Sequence, residues 1–295
     1  MKTNLKHAFL SLSLICGCIF SSHSQLLYKI EGKDLEKPSY LFGTHHLAPV
    51  SFAEERDVLS YIDQTDQVVG EIDLTQDLMA ISLATQSHMI APADSTLSKV
   101  ISPEDYSIIS EEFKKWAPQN GLSLSFFDSM KPMVVSTMVT VSMMSELMPE
   151  FNPNEVLDLY FQKYGAEHGK KIIPFETADF QAGVLYDTTP ISIQAEALVT
   201  MLKEPEKTIE NARKLNDAYM AEDLQAMLNL SQEEDANSEF MNALLDKRNA
   251  EWLKKIPGIL NDGTTFIAVG ALHLPGENGL IEGLRKLGYT ISPVE

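Results

Sequence analysis

Cysteine is almost missing from this 295-residue chain, and both copies, Cys16 and Cys18, fall within its first two dozen residues. If cleavage follows Ser24, the mature protein holds no thiol, no disulfide and no thiolate ligand. Any metal must then rest on histidine and oxygen donors. Basic residues are also scarce. Lys and Arg number 23 against 42 Asp and Glu, a net charge of −19. That balance argues against nucleic acid and against anionic membranes, since both require a basic footprint. After the leader no apolar run is long enough to span a bilayer, so no transmembrane span is expected in the mature chain. No low-complexity linker divides the sequence.

What is present starts with a leader. Lys2 and Lys6 precede an apolar stretch over residues 8–20, and Ser22-His23-Ser24 places small residues at a cleavage position. This is the secretory pattern, giving a signal peptide over 1–24, a single domain over 25–295 and a periplasmic or secreted location. The competing reading is a lipoprotein, with Ile15-Cys16-Gly17-Cys18 as its signal and a lipid anchor on Cys18.

Strands are expected at 25–30 and 40–44 as a hairpin, then at 67–74, 171–176, 266–270 and 289–294. The last of these closes the chain. Helical spacing covers 52–62 and 77–88. Ser102-Pro103-Glu104-Asp105 opens a helix to about Trp116 with a capping serine, a first-turn proline and acids. Asn152-Pro153-Asn154-Glu155 opens another, to about Glu167. Residues 179–251 are mostly helical, and 277–287 helical again. The Met-rich stretch 131–148 reads as a buried helix, with a methionine-lined binding surface as the alternative. Strands come from both chain ends with helices between them. The fold class is therefore α/β (α+β): a mixed central sheet flanked by helices and carrying a helical insertion.

Two stretches echo one another across most of the chain: Tyr40-Leu-Phe-Gly-Thr-His-His-Leu47 and Phe266-Ile-Ala-Val-Gly-Ala-Leu-His-Leu274. Each is an apolar run, then Gly-x-x-His-Leu. Each histidine, His46 and His273, would sit just past the carboxyl end of a strand, where open α/β sheets place ligands. A third copy, Gly165-Ala-Glu-His168, has no strand before it and reads as coincidence. Glu71 and Glu176 also follow apolar runs, and buried carboxylates are costly unless paired or metal-bound. Two histidines and Glu71 make a set for a divalent metal with an open position for water. Such an ion lowers the pKa of its water and polarises a carbonyl. Glu176 would then be a general base, or simply a salt-bridge or capping residue. His45 is a weaker extra ligand that would point away from His46 if the strand continued. Arg248 and Asn249 lie in an expected helix, 240–254, which composition reads as amphipathic with a solvated face.

Several motifs in order resemble the TraB/GumN (TraB/PrgY/TIKI) family. They are Leu27-Tyr-Lys-Ile30, Ser39 to Leu47, Val69-Gly-Glu-Ile-Asp-Leu74 and Lys131-Pro132. Asp158 to Ala166 with Lys170, Glu176-Thr177 and Gln181 follow. Asp246-Lys-Arg-Asn-Ala-Glu-Trp252 and Val269-Gly-Ala-Leu-His-Leu-Pro275 complete the series. The resemblance implies an erythromycin esterase/ChaN-like fold with one site at the strand ends. For the TIKI members it implies metal-dependent proteolysis, with both Gly-x-x-His histidines and the strand glutamate essential. Carried over, it makes His46, His273 and Glu71 the metal site and Arg248 a binder of substrate or transition-state anion. Relatives often have an apolar residue at the place of His45.

The expected function is a secreted or periplasmic metal-dependent hydrolase acting on a peptide or protein substrate. Manganese or cobalt follows from the resemblance, zinc from ligand type. The alternative is a non-catalytic protein that sequesters a peptide signal or a haem-like cofactor.

Overall fold

The computed structural model describes residues 25–33, 35–117, 121–234 and 238–294. The leader, Cys16 and Cys18 lie outside the described residues, and with them the signal-peptide and lipid-anchor readings. Six strands form one mixed sheet: β1 Leu27–Glu31, β2 Ser39–Thr44, β3 Gln67–Gly70, β4 Lys171–Pro174, β5 Thr265–Gly270 and β6 Thr290–Pro293. Their order is β4-β3-β5-β2-β1-β6. Strands β4, β3, β5 and β2 run parallel, while β1 and β6 are antiparallel neighbours at one side. The sheet is therefore of the expected α/β class.

Burial follows position in the sheet. β2, β3 and nearly all of β5 are buried along their length, as parallel strands covered on both faces should be. β1 alternates, with Tyr28 and Ile30 inward. β4 departs from the buried strand expected over 171–176. It is an edge strand, with Lys171 and Pro174 exposed, and a proline that donates no N–H is suited to an edge.

The register brings the two echoing motifs side by side. Gly43 pairs with Val269, and Thr44 with Gly270. Several expected elements come out shorter or broken. The strand over 67–74 ends at Gly70. The helix over 52–62 is two short helices, Val50–Glu55 and Leu59–Asp63, separated at Asp57 by a left-handed φ of 51°. The helix placed from Asn152 begins at Leu157, because Asn152 Oδ1 accepts from the Asn154 amide (3.0 Å) and holds the preceding residues in a turn.

Two apolar cores result. The first surrounds the sheet, where Phe161 of helix Leu157–Glu167 meets Phe42 (5.3 Å) and Phe266 (5.5 Å) edge-on. The second belongs to the helical insertion. There the Met-rich helix Pro132–Leu147 buries Val135, Val139, Met143 and Met144 against Phe113 and Leu198. Those methionines are thus core. Among the described residues no helix is long and apolar enough to cross a membrane.

Gly165 explains the stray Gly-x-x-His. A Cβ there would lie 2.7 Å from Val68 Cγ2, so this glycine lets its helix sit close on β3. Gly165→Ala is expected to lose about 1–3 kcal/mol through overpacking, despite alanine's helix propensity. Gly258→Ala, with nothing within 4 Å of its Cβ, should instead gain about 0.5–1 kcal/mol. Urea unfolding of both variants reads the contrast, and equal effects would refute the packing account.

Candidate functional site

Because four strands are parallel, their carboxyl ends open at one edge of the sheet. His46 follows β2, Glu71 follows β3, Glu176 follows β4, and His273 closes the 3-10 turn Ala271–His273 after β5. The Glu176 amide donates to the Glu71 carbonyl (2.9 Å), which sets the two glutamates abreast. A Cβ on Gly43 would meet Ala271 Cα at 3.0 Å, so the first motif's glycine admits the turn that carries His273.

A fifth element completes the site. The π-helical turn Asn242–Asp246 leads into helix Lys247–Asp262, whose Arg248 and Asn249 are buried. This corrects the solvated face expected from composition. Arg248, only 3% exposed, joins the strand ends. Its Nε donates to Glu176 Oε1 (3.0 Å) and Oε2 (3.2 Å). Its Nη2 donates to Glu71 Oε2 and Glu176 Oε1, each at 2.5 Å. Its Nη1 donates to the Leu244 carbonyl (3.0 Å) and to His273 Nε2 (3.1 Å). A guanidinium has five N–H groups, and all five have acceptors here. Arg248 has no donor left for a substrate anion. Glu176 is fully engaged as well, since Trp252 Nε1 donates to its Oε2 (3.1 Å). The following helix is capped by Thr177, whose side chain accepts from Phe180 N.

These contacts assign the His273 tautomer. Asn249 Nδ2 donates to two carbonyls, those of His273 (3.2 Å) and Asn278 (2.9 Å). Its Oδ1 must therefore accept from His273 Nδ1 (2.7 Å), leaving Nε2 to accept from Arg248. Such a ring is neutral. Burial, with a smaller push from the Arg248 charge and only partly opposed by Glu71, holds its pKa down at about 4. Glu71 goes the opposite way from most buried acids. Burial raises it, but His273, Arg248 and the Gly270 amide (2.9 Å) outweigh burial and bring it to about 2. At that pH His273 already carries its proton, so the two effects agree. The site holds an ionised carboxylate and a neutral imidazole, with Glu71 Oε1 and His273 Nε2 3.7 Å apart.

His46 stands apart, its side chain 80% exposed and its Nδ1 3.6 Å from Asp158 Oδ2. Asp158 is the residue that composition and spacing did not single out. It is buried in the first turn of helix Leu157–Glu167, where acids ordinarily serve the helix dipole. Its Oδ1 accepts from Thr44 Oγ1 (2.8 Å), while Oδ2 has no hydrogen-bond partner. Burial pushes its carboxyl up, with His46 working against that shift. His45 lies past the end of β2, so strand alternation does not govern it. Its ring packs on Tyr219 (5.2 Å), its Nε2 is buried and unpartnered, and burial together with the His46 charge brings its pKa to about 4.

His45, His46, Glu71, Arg248 and His273 all line one cavity of about 320 Å³. The rest of the lining is largely apolar, including Leu215, Met227, Leu244 and Leu272. That volume lies in the range of small-molecule and peptide side-chain sites. The structure brings every expected site residue to this edge of the sheet. It does not gather His46, Glu71 and His273 as three metal ligands. Among the described residues no three His, Cys, Asp or Glu side chains are placed to share an ion, and the Arg248 guanidinium already meets the lone pairs of Glu71 Oε2 and His273 Nε2. In this arrangement the trio does not fit a metal.

The model of the TraB/PrgY/gumN family matches residues 26–293 of the chain. No curated protein and no solved structure matches it.

The two depressed histidines, His45 and His273, link folding to pH. Each binds its proton near pH 6.5 when unfolded and only near pH 4 when folded, so the unfolded state binds more protons between those values. Stability therefore falls as pH drops from 6.5 towards 4, by about 1.4 kcal/mol per pH unit for each histidine. His88, raised by its Asp187 and Asp179 partners, contributes with the opposite sign and in a different window, its stabilisation being lost as pH rises above 6.5. Unfolding free energies measured below pH 6.5 and down to 5 should show His45→Phe with about one proton less slope than the parent. Parallel pH profiles would contradict this.

Proposed function

The chain belongs to the TraB/PrgY/gumN family, and we propose that it acts there as a hydrolase on the carbonyl of a peptide substrate. The observation that carries the reading is the convergence of three strand ends, those of β2, β3 and β5, on one cavity with three unlike groups. Glu71 is an ionised carboxylate, His273 a neutral, oriented imidazole, and His46 an exposed imidazole at the rim. In hydrolysis His46 takes a proton from water as the water oxygen bonds to the substrate carbonyl carbon. The same ring returns that proton to the leaving nitrogen as the C–N bond breaks. Glu71, locked by Arg248, Gly270 and Gln181, keeps a fixed negative charge facing the developing imidazolium. The apolar wall seats a side chain and excludes water.

Arg248 in this scheme is a clamp and not an anion receptor, because its donors are spent on Glu71, Glu176, His273 and Leu244. Metal assistance forms no part of the proposal, since two of the three expected ligands, Glu71 and His273, are held by that clamp. The periplasmic or secreted location is likewise a proposal, resting on the leader pattern alone.

Purified parent protein and His46→Ala are to be incubated with dye-labelled casein and a peptide library, with chelator and with added manganese, cobalt or zinc. His46 is exposed, so the alanine variant should keep the parent's melting temperature while losing roughly 10²-fold or more in rate. Peptide binding by the parent without turnover under every condition would replace the hydrolase with a sequestering protein.

A further inference from the structure

A buried carboxylate oxygen without a partner is costly unless a charge or donor meets it. Asp158 Oδ2 is such an atom. It lies on helix Leu157–Glu167 and faces the exposed site imidazole, His46. The other half of the carboxylate is fixed, because Thr44 Oγ1 donates to Oδ1 (2.8 Å) from the last residue of β2, two positions before His46. The 3.6 Å gap to His46 Nδ1 is too long for a hydrogen bond. With the ring 80% exposed, a small rotation closes it. Catalytic hydrogen bonds are often long before substrate arrives and tighten when it covers the site. His273 is served by its own partner, Asn249, so Asp158 and Asn249 play parallel parts for the two motif histidines.

We propose that Asp158, held by Thr44, is the positioning residue for His46: its Oδ2 accepts from Nδ1–H and so turns the Nε2 lone pair toward the cavity. This deepens the hydrolase reading and rests on it for its purpose, but it is a statement about a tautomer and can be measured without any substrate. In the reaction the Nδ1–H stays on His46 throughout. The proton from water goes to Nε2, and the carboxylate stabilises the imidazolium formed between the two proton transfers. Asp158 touches no reacting atom.

The test is ¹⁵N NMR of histidine-labelled full chain at pH 8.5, with the His46 signals assigned by their loss in His46→Gln. The parent should show His46 protonated at Nδ1. Asp158→Ala should move that proton to Nε2, and on dye-labelled casein its kcat should fall roughly 10²-fold or more with KM little changed. If Asp158→Ala does not fold, Thr44→Val reads the same link by freeing the carboxylate, and should give a mixture of tautomers. A parent ring already protonated at Nε2, or an Asp158→Ala ring still protonated at Nδ1, overturns the proposal. The correct tautomer without any casein turnover would instead count against the hydrolase reading and leave the Asp158 assignment standing.

Discussion

The site depends on one buried cation. Arg248 ties the ends of β3 and β4 to the turn after β5 through Glu71, Glu176 and His273. Each partner would be costly alone at that depth. Two carboxylates abreast repel one another, and a lone guanidinium in the core loses its hydration. Together with the Leu244 carbonyl they satisfy all five guanidinium donors, and Trp252 adds its ring under Arg248 at 4.7 Å and its N–H to Glu176. The cluster fixes protonation as well as position: Glu71 stays charged and His273 stays neutral.

Topology makes this clamp reachable. β5 is inserted between β3 and β2, so chain segments from both ends meet at one edge, while helices from the middle supply Arg248 and Asp158. Chemistry then divides between a locked side and a free side. Glu71, Glu176, Arg248 and His273 are held by one another. His46, His45 and the second oxygen of Asp158 are not, and those groups have bonding capacity left for a ligand.

Much of this was legible in the sequence, and the reasons are local. An apolar run ending in glycine before histidine marks a strand end, and it separated His46 and His273 from the coincidental His168. Glu71 and Glu176 stood out as acids after apolar runs. Composition hid Arg248, which only the family resemblance pointed to, because Lys247, Glu251, Lys254 and Lys255 around it make its helix look amphipathic, and its burial depends on two acids from distant strands. Asp158 was hidden by sitting where helices commonly place an acid. Strand 67–74 was read too long because the apolar pattern continues through Ile72 and Leu74 after the backbone has left the sheet at Gly70. The clamp on Glu71 and His273 was out of reach for the same reason: ligand types can be read from sequence, but the cation that already faces them cannot.

The central claim is that Arg248 neutralises two buried carboxylates that would otherwise destabilise the fold. Urea unfolding of Arg248→Met against Arg248→Met combined with Glu71→Gln and Glu176→Gln tests it directly. The account predicts a loss of about 3–5 kcal/mol for the single variant, as for other broken buried pairs, with a substantial part recovered in the triple variant. A single variant within about 0.5 kcal/mol of the parent, the range of ordinary surface changes, would contradict it.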